Sequence, residues 1–161
     1  MDFANHVFNA YARPEGYHMS DCKRKLIKVG ILFVVLPLSL GGILYYLLCP
    51  DVFFVRHVDS FLGIYRFSDS LSIFPTLSRF LRNYFFDFIW AFALTNSLYL
   101  ILGNNAWSCL TSIICSVFLG SAMEILQLTG VTTGTFDVWD IAAEAVGAVT
   151  GAIIIKQTWR R

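Results

Sequence analysis

The chain has 161 residues and a formal net charge of +1; 57% of its residues are hydrophobic and 14% are charged. A soluble domain of average composition carries about 25% charged residues. Here the apolar excess falls in long blocks, so the sequence describes an integral membrane protein rather than a soluble one. The near-balanced charge leaves no electrostatic case for a nucleic-acid partner. Cys22, Cys49, Cys109 and Cys115 show no Cys-x-x-Cys or Cys/His ligand spacing. No disulfide framework, zinc site, other metal or cofactor is therefore expected.

Residues 1–24 form a mixed polar tail with Pro14 and Gly16, and the lead-in SDCKRKLIK makes Met19 an alternative start to Met1. The first apolar block, 26–48, has 23 residues. At ~1.5 Å per residue it reaches about 34 Å, enough to cross a ~30 Å hydrocarbon core with some tilt. The block is too long for a cleaved leader and lacks an Ala-x-Ala site, so a retained helix is expected. Pro37 and the pair Gly41-Gly42 predict a kink. Cys49 follows Leu48, where a lipoprotein cleavage site needs a small residue, which argues against lipidation.

Residues 49–83 read as a long outer loop, with Arg56, Arg66, Arg79 and Arg82 set against Asp51, Asp59 and Asp69. The run SFLGIYRF suits either a short amphipathic piece in the membrane interface or an ordered loop over the helix ends. Further spans are expected over 84–102, 107–128 and 136–155. Gly103-Asn104-Asn105 is a turn signal, and the Gly/Thr-rich run LTGVTTGT is a short loop. The fold expectation is a single all-α membrane domain over 1–161, a polytopic protein with four transmembrane helices in a compact bundle.

Basic residues near the spans set orientation. Lys23, Arg24, Lys25 and Lys28 precede the first span, and Lys156, Arg160 and Arg161 follow the fourth. Both termini are therefore expected in the cytoplasm, in the cell membrane.

The polar residues gather at one level of that topology. Asp87 opens the second span, Glu124 and Gln127 close the third, and Asp137, Asp140 and Glu144 open the fourth. By rise per residue, Asp87, Glu124 and Asp140 lie roughly 4–6 Å from the outer helix ends and Glu144 about 10 Å deep. Ser112, Ser116, Gly120 and Glu124 share one helix face, and Asp140, Glu144, Gly147 and Gly151 share another. Small residues let membrane helices approach closely, so Gly120, Gly147 and Gly151 predict a tight hairpin of the third and fourth spans, with an acidic pocket at its loop end. Asp87 and Asp137 also suit helix N-termini as caps. Glu124 does not, since it sits at the negative end of its helix, and Asp140 and Glu144 lie one and two turns inside theirs. Glu124 and Asp140 are expected at matching depth, sharing a proton as a pair, with Gln127 orienting one of them.

No His-Glu-x-x-His, Gly-x-Ser-x-Gly, Walker-type or Rossmann pattern occurs. His6, His18 and His57 are scattered in tail and loop, and no catalytic residue stands out.

The pattern Glu124-x-x-Gln127, a short loop, then FDVWDIAAEAVGAVTG resembles the VanZ-like membrane proteins. Their hallmark is Glu-x-x-Gln followed by Arg-x-x-Asp-x-x-Asp-x-x-x-Asn-x-x-Gly-x-x-x-Gly. Asp137, Asp140, Gly147 and Gly151 match in register, and Asp87 stands where the family has an Asp or His at the head of the second span. The resemblance covers roughly residues 84–155. Glu144 replaces the usual Asn and Gly134 the common Arg, which leaves the acids less neutralised here. The resemblance implies a bacterial envelope protein associated with resistance to teicoplanin-type glycopeptides or with envelope processes, acting near lipid-linked cell-wall material. It implies no reaction. Two readings follow: a non-enzymatic protein that binds a ligand, a lipid-linked envelope component or a membrane partner through the acidic pocket, or a membrane-embedded enzyme or proton-coupled carrier using Glu124 and Asp140. The missing catalytic motifs favour the first.

Overall fold

The computed structural model describes residues 19–49, 52–63, 80–105, 107–131 and 135–160. The polar tail before Met19, Arg66, Asp69, Arg79 and the loop residues Thr132 to Gly134 lie outside the described residues. The described chain is helical throughout, without strands, and four of its helices are long and apolar enough to cross a membrane: Lys23–Leu48, Asn83–Leu102, Ser108–Leu128 and Val138–Trp159. The protein is an all-α, multi-pass membrane protein, as its composition predicts.

The first span is built from α1 (Met19–Gly30) and α2 (Leu36–Leu48), joined by a wide π-helical turn over Ile31–Val35. The Leu36 N–H reaches back five residues to the Ile31 carbonyl. The cause stands immediately after it: Pro37 has no N–H, and in a regular helix its ring would meet the Phe33 carbonyl. Widening the preceding turn relieves that clash, so the irregularity precedes the proline and the Gly41-Gly42 pair continues as helix. Gly41 is buried against Ile89 of the second span, while Gly42 faces open space.

A short helix, α3 (Phe53–Leu62), follows and ends at Gly63 with φ 65°. The helical piece in the connection between the first two spans is thus Phe53–Leu62, upstream of most of the SFLGIYRF run, which continues beyond the described residues. Its Val55 is buried, Phe53 and Phe61 stand fully exposed, and Asp59 accepts a hydrogen bond from the Tyr46 hydroxyl of α2.

The second span opens with another wide turn, Leu81–Phe85, and continues as α4 (Phe86–Leu102); α5 (Ser108–Leu128) and α6 (Val138–Arg160) follow. The connections are closed by their own side chains and glycines. The Asn105 carboxamide oxygen accepts the N–H groups of Trp107 (3.0 Å) and Ser108 (2.9 Å), capping α5. At the other end of α5, Gly130 takes φ 72°, its N–H bonds to the Gln127 carbonyl, and the Val131 N–H bonds to the Leu126 carbonyl. That is a Schellman closure, for which a glycine in the left-handed region is the ordinary residue.

Packing is inverted relative to a soluble protein. Ser112, Ser116 and Gly120 are buried, whereas Ile114, Phe118, Val146 and Ile153 face outward. Hydrocarbon tails are as apolar as leucine, so large side chains gain little by turning inward and small ones bring backbones together. The parallel pair α4 and α6 makes the most extensive contact, with α5 antiparallel against both. At the end opposite the α5–α6 loop, Val29, Tyr99 and Ile155 form an apolar cluster, and Lys25 lies 5.2 Å over the Trp159 ring. The two basic ends of the described chain therefore meet at one face of the bundle.

Candidate functional site

The geometry of the acidic end follows from two helix contacts. A β-carbon added at Gly120 would collide with the Glu144 carboxyl group, so the Glu144 side chain lies directly on the Gly120 backbone. One turn toward the loop on each antiparallel helix places Glu124 level with Asp140. The Ser116 hydroxyl donates to the Ala91 carbonyl at 3.2 Å, fixing α5 against α4. One turn along from that contact, Asp87 comes level with Gly120. Asp87, Glu124, Asp140 and Glu144 accordingly lie within electrostatic range of one another.

Burial differs within the group. Glu124 is 6% exposed and Glu144 5%, while Asp87 and Asp140 are half-buried. Glu124 accepts the backbone N–H of Asp137 at 3.1 Å. Asp137 in turn accepts the N–H of Trp139 at 2.9 Å and caps α6. Asp140 Oδ1 and Glu144 Oε2 are buried and have no hydrogen-bond partner among the described residues. Gln127 is half-buried one turn beyond Glu124, and its main chain serves the α5 closure.

Four of the six sequence-derived pocket residues, Asp87, Glu124, Asp140 and Glu144, thus gather in one place. Asp137 sits at its edge as a helix cap, and Gln127 lies at the loop side. The glycines divide. Gly120 belongs to the α5–α6 contact, as the hairpin expectation has it. Gly147 and Gly151 do not: they face α4. An added β-carbon at Gly147 would lie 3.1 Å from Phe88 Cα, and one at Gly151 would lie 2.9 Å from the Phe92 carbonyl oxygen and 3.0 Å from Asn96 Nδ2. The close approach is between the second and fourth spans. Shared periodicity identifies a helix face but not the neighbour that the face meets.

Sequence reasoning missed the Asp137 N–H as the donor that holds Glu124. Its position depends on the path of the loop before α6, which no residue pattern specifies. It also missed the aromatic side chains Tyr84, Phe85, Phe88 and Trp139, which line an apolar groove at the same end of the bundle. Their clustering at the heads of two spans was the available signal.

Chemically, the site offers carboxylate oxygens in excess of the donors around them. Such a set can bind a cation, accept hydrogen bonds from an amine, or pass a proton between neighbours. Among the described residues no group of three or more His, Cys, Asp or Glu side chains has a metal-holding arrangement. The chain matches no protein-family model, no curated protein and no solved structure.

Proposed function

We propose that the chain is a VanZ-like protein of the bacterial envelope that binds a cationic ligand or a membrane partner through its carboxylate pocket, with both termini cytoplasmic and the pocket on the outer side. The observation that carries the reading is the convergence of four carboxylates from three helices, two of whose buried oxygens have no partner among the described residues. Uncompensated acids beside hydrocarbon are costly and usually mark functional sites. The family and the link to glycopeptide resistance rest on the resemblance at Asp87, Glu124, Gln127, Asp137, Asp140, Gly147 and Gly151.

The test is expression in a teicoplanin-susceptible bacterium. The unaltered chain should raise the inhibitory concentration, and Glu124→Gln or Asp140→Asn, which keep shape and remove charge, should return it to the empty-vector value with membrane-inserted protein unchanged. No rise with the unaltered chain contradicts the resistance reading. A rise that survives both substitutions contradicts the pocket.

A second reading, a proton-coupled carrier, is favoured by one observation. Thr95 Oγ1 and Ser108 Oγ are buried without partners among the described residues, on the same seam as Ser112, Ser116 and the acids. Dye-reported proton flux in vesicles holding the purified chain separates the two readings.

A further inference from the structure

The basic end of the bundle carries a feature that the carboxylate site does not use. An open groove of about 480 Å³ lies between the first span and the end of the fourth. Arg24, Lys25, Lys28, Val29, Leu32 and Phe33 line one wall and Thr158 of α6 the other. Cations and apolar side chains thus share one groove, and no acid is among its lining residues. Four-residue spacing sets them in two neighbouring rows, Arg24-Lys28-Leu32 and Lys25-Val29-Phe33. Each row begins with charge and turns apolar where the chain enters the wide turn Ile31–Val35. Lys25 ties the walls together: its ammonium donates to the Trp159 carbonyl at 3.5 Å and lies 5.2 Å over the Trp159 ring. Arg24 and Lys28 are exposed.

The depth of these residues limits what the groove can take. Lys28 lies about 7.5 Å along the axis from Lys23, where the first apolar span begins. A charge at that depth is costly without a counter-charge, and a lysine stem can carry its ammonium back toward the headgroups. Leu32, further in, stands exposed on the surface of the first span, where hydrocarbon lies in a membrane. An occupant of the whole groove therefore needs a compact anion at one end and hydrocarbon at the other. A soluble anion leaves the apolar half unfilled. An acidic segment of protein would set its backbone polar groups against hydrocarbon. A phospholipid of net negative charge meets both demands, whereas a zwitterionic one brings its own cation beside the phosphate.

We infer that this groove is a binding site for an anionic phospholipid, with the phosphodiester between Arg24 and Lys28 and an acyl chain along Leu32 and Phe33. The guanidinium offers paired N–H donors to the phosphate and the lysine a point charge. Lys25, held on Trp159, keeps the end of the fourth span against the first and so preserves the shape of the groove. The site is separate from the carboxylate pocket and does not depend on it.

The test is native mass spectrometry of the purified full chain in detergent, supplied with equal amounts of phosphatidylglycerol and phosphatidylcholine bearing identical acyl chains. The glycerol lipid should be retained in preference by roughly tenfold, the scale set by two cations near a membrane surface. The double variant Arg24→Gln, Lys28→Gln should lose that preference; both positions are exposed, so the substitutions leave the helix packing untouched. Lys23→Gln combined with Lys156→Gln removes the same charge at the same end from outside the groove, and should keep the preference. Inorganic phosphate in large excess should leave the lipid bound. Equal retention of the two lipids by the unaltered chain overturns the inference, as does a preference that survives Arg24→Gln, Lys28→Gln. Loss of the preference in the Lys23, Lys156 control would mean that overall charge selects the lipid, and displacement by phosphate would assign the groove to a free anion; either result contradicts the assignment.

Discussion

Glu124 stands at the end of a helix whose last carbonyls already carry partial negative charge, and it is 6% exposed. A carboxylate there needs a donor, and the next helix supplies one through the Asp137 N–H. Asp137 thereby works twice: its backbone holds Glu124, and its side chain caps α6. Asp137→Ala should lower stability by about 1 kcal/mol, the usual value of such a cap, while Asp137→Asn should be nearly neutral because asparagine caps as well. Thermal unfolding in detergent measures both. The acids themselves were legible in the sequence, because four carboxylates gathered toward one end of three apolar spans do not arise from packing needs. The role of each was only partly legible. Asp137 as a cap follows from its place before an apolar run, but the partner of Glu124 is a main-chain group, and main-chain groups leave no trace in residue identity.

At the scale of elements, one glycine position decides how closely two spans approach. Phe88 lies where any side chain at Gly147 would have to go, whereas nothing stands within 4 Å of a β-carbon at Gly42. Gly147→Ala should therefore destabilise the bundle by about 1–3 kcal/mol, as overpacking does. Gly42→Ala, on an outward helix face, should leave the melting temperature unchanged or raise it. Equal behaviour of the two variants would contradict the α4–α6 contact. The four-residue spacing of Gly147 and Gly151 made a close contact predictable from sequence. The choice of α5 as the neighbour followed from chain proximity alone, and the actual neighbour is α4, which runs parallel. The wide turn at Ile31–Val35 was foreshadowed by Pro37 but displaced from it, because the strain falls on the carbonyl four residues earlier.

The whole molecule is polar along its length. Lys25 and Trp159 meet at one end and the carboxylates of α4, α5 and α6 at the other. This charge separation and the four apolar blocks made the fold class readable at once, since bilayer thickness sets span length. The short helix Phe53–Leu62 was less readable, because its hydrophobic face is brief and its neighbours are mixed in character. On a cysteine-free background, Val131→Cys should react with an impermeant reagent added outside intact cells, and Gln157→Cys should not. Reversed labelling would place the acidic end in the cytoplasm.

The central claim is that the carboxylates from different helices act as one site, and a double-mutant cycle on Glu124→Gln and Asp140→Asn tests it most directly. Both substitutions are isosteric, and the glutamine can still accept the Asp137 N–H. With thermal stability in detergent as the readout, neighbouring like charges predict that the effect of one substitution depends on the other, with a coupling of at least about 0.5 kcal/mol. Effects that simply add would mean that the two carboxylates do not share a site.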